Sequence, residues 1–76
     1  MNEILADAIL DLVAWFEVVA DDPPLEPLQQ IAHHLHQLAP DDRRWLAEHA
    51  RRRAAGERDP RYSRAFEAVA DDLLTA

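Results

Sequence analysis

Five prolines, at positions 23, 24, 27, 40 and 60, divide this chain of 76 residues, and between them the apolar residues recur with the period of a helix. Proline offers no backbone N–H and pushes the residue before it out of helical geometry, so each proline marks a stop or a first turn. Only one glycine is present, against fourteen alanines, which favours helix throughout. Nothing reads as a strand. The expected fold class is all-α: a single domain spanning residues 1–76, a small four-helix bundle with short connections and mostly antiparallel neighbours.

The helices are expected at about 3–20, 27–38, 40–55 and 60–74. In the first, Asn2 is a capping residue, and Ile4, Leu5, Ala8, Ile9, Leu12, Val13, Trp15, Phe16 and Val19 form the expected core stripe, widened by Val18. Asp21-Asp22-Pro23-Pro24 ends it. Pro27 sits in the first turn of the second helix, whose stripe is Leu28, Ile31, Leu35 and Leu38. Pro40 opens the third, with Asp41 and Asp42 at the end that favours negative charge and Trp45, Leu46, His49 and Ala50 inward. Gly56 is the expected left-handed stop of that helix. Asp59-Pro60 caps the fourth, with Tyr62, Phe66, Val69 and Leu73 as its stripe.

Charge is distributed unevenly along these helices. Fifteen acids face eight arginines and no lysine, for a formal charge of −7. Residues 1–40 hold seven acids and no arginine, whereas all eight arginines lie between Arg43 and Arg64. Glu3, Asp7 and Asp11 stand four residues apart on one helix, an arrangement that destabilises an isolated helix by roughly 0.2–0.5 kcal/mol per pair. No arginine is near in sequence to relieve them. Glu48 is placed to pair along its own helix with Arg44, Arg51 and Arg52.

Composition also narrows the chemistry. Without cysteine, disulfides and thiolate metal sites are excluded and a reducing compartment is expected. The N-terminus lacks a basic leader, and charges interrupt its apolar stretch, so neither a signal peptide nor a membrane span is expected and the reading is cytoplasmic. His34 and His36 project to opposite flanks of helix two and His33 to solvent, so they cannot share one ion. No metal or other cofactor is expected. His49 reads as a satisfied residue at the edge of the core. The only hydroxyls are Ser63, Thr75 and Tyr62, there is no glycine-rich loop, and the paired acids fall at helix ends, so no catalytic residue is assigned and an enzyme is not expected.

Leu28 to Leu46, with Leu38-Ala39-Pro40-Asp41-Asp42-Arg43 at the helix junction, and later Asp59-Pro60-Arg61-Tyr62, resemble small acidic all-α bacterial proteins in which a helix ends in Leu-Ser-Pro-Glu-Glu-Arg and Asp-Pro-x-Tyr opens the last helix. The absence of lysine beside many arginines and alanines agrees with a GC-rich bacterial source. The resemblance covers about half the chain, and Ala39 departs from it where that pattern has a capping serine. Some proteins of this general outline are immunity proteins, and the resemblance implies a fold of that kind without assigning any residue a role.

From the charge map the expected function is a non-enzymatic protein-binding module of the immunity or inhibitor type. Asp7, Asp11, Asp21, Asp22 and Glu26 would dock on a basic surface of a larger protein, such as a toxin or a nucleic-acid-processing protein. The alternative is a homo-oligomerisation module, a homodimer pairing the acidic half of one copy with the arginine-rich half of another. A lesser alternative is nucleic-acid binding through Arg51, Arg52, Arg53, Arg58 and Arg61, which the net charge disfavours.

Overall fold

The computed structural model describes residues 2–19 and 25–75, with the side chain of Leu25 left out. Four helices follow in order: α1 (Glu3–Val18), α2 (Leu25–His36), α3 (Pro40–Gly56) and α4 (Pro60–Leu74). They form a small all-α four-helix bundle. The acids and prolines at positions 21–24 lie outside the described residues. No helix among the described residues is long and apolar enough to cross a membrane.

The caps explain most of the boundaries. Asn2 Oδ1 accepts from the backbone N–H groups of Ile4 at 2.8 Å and Leu5 at 3.3 Å, fixing the start of α1. Asp59 accepts from the Arg61 N–H at 2.9 Å with Pro60 in the first turn of α4. Ala39 has an extended conformation but no side chain to cap α3. α2 begins two residues earlier than expected, and after His36 the chain tightens, with the Leu38 N–H donating to the Leu35 carbonyl at 3.2 Å. Gly56 corrects an expectation. It is the last residue of α3 and not a left-handed stop; no described residue has positive φ, and the chain leaves the helix through extended Glu57.

α3 and α4 are the closest pair. The three residues Glu57–Asp59 connect them, and Ser63 Oγ donates to the Ala54 carbonyl at 2.9 Å across that corner. Their buried residues are Leu46, Ala47, Ala50 and Ala54 on α3, and Ala65, Phe66, Val69, Ala70 and Leu73 on α4. Alanines at four-residue and three-residue spacing let the helix axes approach closely, and Phe66 fills the space between them. α1 completes this core with Ala6, Leu10, Val13 and Ala14. α2 packs Leu28, Ile31 and Leu35 against it, and all three remain only partly covered.

The stripe expected on α1 is therefore corrected. Of its members only Val13 is buried; Ile9 and Phe16 are half-buried, and Ile4, Leu5, Leu12, Trp15 and Val19 are exposed, Ile4 at 78%. α1 is apolar on two faces, and the face with the smaller residues, Ala6 and Ala14 around Leu10, is the one that meets α4 and α3.

Two substitutions separate the faces. Leu10→Ala opens a cavity in the fully buried core and is expected to cost about 2–5 kcal/mol, against well under 1 kcal/mol for Leu12→Ala, read by urea denaturation at low protein concentration. Ala39→Ser supplies the missing cap of α3 and should raise stability by about 0.5–2 kcal/mol in the same assay.

Candidate interaction surface and its charge network

The acids of α1 meet a partner from the far end of the chain. Arg53, on the inward side of α3, donates from Nη1 to Asp7 Oδ1 at 2.8 Å and from Nη2 to Asp11 Oδ1 at 2.5 Å. One guanidinium therefore spans two carboxylates on successive turns of α1, which removes the like-charge cost of that spacing. The carbon centre of the same group lies 4.8 Å above the Phe66 ring, so the cation also rests on the core of α4. Asp7, with no arginine near in sequence, thus finds one 46 residues away.

His49, one turn before Arg53, completes the network. It is 5% exposed and stacks on Trp45 with ring centroids 5.1 Å apart. Its Nε2–H donates to Asp7 Oδ1 at 2.7 Å, which leaves Nδ1 as the acceptor for a long contact of 3.4 Å from Arg52. The hydrogen bond from His49 holds the Asp7 carboxyl below its usual value of 3.8; partial desolvation opposes this, and the bond and charge of Arg53 add to it. Partial burial works against the Arg53 charge, but its bonds to Asp11 and Asp7 outweigh that, so its pKa rises.

Glu3, Asp7 and His49 place ligand atoms within 4.8 Å of one another, a spacing that suits a metal ion. In this fold the positive charge beside Asp7 is the Arg53 guanidinium, and the His49 nitrogen facing Asp7 carries the proton of their hydrogen bond. Asp7 and His49 are thereby parts of an ion-pair network, beside which Glu3 stands exposed. An aspartate bonded to a histidine also matches two of the three members of a hydrolytic triad. The hydroxyls of Ser63 and Thr75 donate instead to the carbonyls of Ala54 and Asp71.

Of the arginines read as a nucleic-acid surface, Arg53 is turned inward and the others are exposed. Arg53 faces α1, Arg51 donates to Asp71 on α4 at 3.4 Å, and Arg61 to Asp59 at 2.9 Å. Among the described residues Arg52 and Arg58 make no ion pair with a carboxylate, and neither does Glu48, contrary to the pairing expected along α3. Arg44 pairs with Asp41, at 3.6 Å. Of the histidines on α2, His36 approaches Asp72 at 3.2 Å and His33 is bonded to Gln37 at 2.8 Å.

Of the five acids read as a docking surface, the structure brings Asp7 and Asp11 together on Arg53. Glu26 stands exposed at the start of α2, apart from them, and Asp21 and Asp22 lie outside the described residues. The surface that sequence reasoning missed is apolar. Leu5, Ala8, Leu12, Trp15 and Val19, with Ile4 beside them, line the outward side of α1, and all are exposed. Their spacing of three and four residues was visible in the sequence, but was read as the core stripe.

Asp7 has its pKa depressed on folding, so it stabilises the fold above the unfolded value of 3.8, and that contribution is lost as pH falls through the folded value. Asp7→Asn is therefore expected to lower Tm at neutral pH, with the gap to the parent protein narrowing as pH falls below 3.8, followed by circular dichroism. No protein family, no curated protein and no solved structure shows significant similarity to this chain.

Proposed function

We propose that this chain is a non-enzymatic protein-binding module whose docking surface is the outward face of α1. The observation that carries the reading is that a helix apolar on both sides is covered on only one. A helix with apolar residues all round is normally enclosed by other structure, and contiguous apolar surface beyond a few hundred Å² on a small protein marks an interaction site. Trp15, about half exposed on that face, is the type of residue that anchors interfaces.

The reading keeps protein binding but moves the contact. Asp7 and Asp11 hold Arg53 and help to hold α1 in place. Any attraction for a basic partner then falls to Glu26, Asp21 and Asp22, with the apolar face supplying the contact area. Part of the acid-to-arginine pairing that would join two copies is made within one chain, through Arg53 to Asp7 and Asp11. A module without cysteine suits a reducing cytoplasm.

The test is cross-linking in the source cell with a photoreactive residue at position 12, compared with one at exposed Glu67 on α4. A discrete protein adduct is expected from position 12 and lost on Trp15→Glu, a change that should leave the helical spectrum intact. If position 12 gives no more adduct than position 67, the outward face of α1 is not a docking surface.

A further inference from the structure

We infer that the occupant of the outward face of α1 is the same face of a second copy, forming a two-fold pair of antiparallel α1 helices. The inference rests on the protein-binding reading above and identifies its partner. Leu5, Ala8, Leu12, Trp15 and Val19 are spaced 3, 4, 3, 4, the a and d positions of a heptad seam. The positions flanking such a seam normally carry the charges that choose a partner. Here they are Ile4, Ile9, Phe16 and Val18, with Asp11 as the single acid, and Asp11 is bound by Arg53. Two copies can therefore approach without setting bare carboxylates against each other, despite a net charge of −7.

Antiparallel pairing suits this seam for three reasons. It opposes the helix dipoles. It sets the small Ala8 against larger positions of the second copy and keeps Trp15 from facing its own equivalent. It also brings the acidic start of α1, at Glu3, towards the far end of the second copy's α1, where Arg61 and Arg64 of α4 border Glu17 and Val18. Among the described residues Arg64 makes only a bond to the Pro60 carbonyl, at 3.3 Å.

The area is sufficient. The exposures of Ile4, Leu5, Leu12, Trp15 and Val19, between 48% and 78%, correspond to on the order of 500 Å² of surface. Two such faces together cover about 1,000 Å², the size from which a specific interface is expected. One face used by both copies closes the assembly at two, since an isologous contact leaves no second patch to extend it.

Sedimentation equilibrium of the full chain over a concentration series tests this directly. The parent protein is expected to pass from 8.7 kDa to about twice that mass as concentration rises, with no larger species. Leu12→Glu and Ala8→Trp, both at exposed positions, should weaken the dimer by about tenfold or more while retaining helical content and monomer Tm at low concentration. Leu74→Glu, at a residue 46% exposed on α4, should leave it unchanged. A single-chain mass at every concentration overturns the self-pairing whatever the cross-linking returns, and an adduct at position 12 to a different protein would then leave the docking reading standing alone. A dimer that survives Leu12→Glu, or is lost equally on Leu74→Glu, also overturns it.

Discussion

One guanidinium organises this small protein. Arg53 lies between Asp7 and Asp11 of α1 on one side and the Phe66 ring of α4 on the other, so a single side chain of α3 touches both other helices of the core. Its environment is only partly wet, and the bonds it makes are charge-assisted, stronger than those between neutral groups. They also choose an orientation. A helix with apolar residues on two sides can bury either, and rolling α1 to bury Leu5, Leu12 and Trp15 would take both carboxylates away from Arg53 and leave His49 without its acceptor. The ion pairs favour the packing in which Ala6, Leu10 and Ala14 form the buried face of α1.

That selection explains which parts of the fold were legible in the sequence. α4 was readable almost completely, because Asp59-Pro60 starts it and its one apolar stripe, Phe66, Val69 and Leu73, has charged residues opposite. α3 was readable for the same reason on its buried side. α1 was not, since its larger apolar residues fall on the face that stays outside. The stripe of greatest bulk predicts the wrong face, because α3 and α4, with alanines at their contact, accept Ala6 and Ala14. Gly56 illustrates a smaller version of the point: an extended Glu57 ended the helix equally well, and the glycine's special freedom was not used.

The charge network was hidden by distance along the chain. Asp7 and Arg53 are separated by 46 residues, and no local pattern links them. One signal was nonetheless present. His49 and Arg53 lie four residues apart, and His49 shares the inward side of α3 with Leu46 and Ala50, which asks for an acceptor on the facing helix. The acids at four-residue spacing on α1 answer it. Among the described residues a single arginine, Arg53, meets two of the seven acids of residues 1–40 across the fold, whereas Arg44, Arg51 and Arg61 pair with acids of their own half. The outward face of α1 itself carries hydrocarbon rather than charge.

α2 is the exception to this economy of contacts. Every fully covered apolar side chain among the described residues belongs to α1, α3 or α4, and α2 adds only half-covered leucines, an isoleucine and the contact of His36 with Asp72. Opening it would expose little of the central core. The molecule is therefore a three-helix body carrying a fourth helix as a detachable flap, and the two should differ as cooperative units, with the amides of α2 exchanging with solvent well before those of α3 and α4.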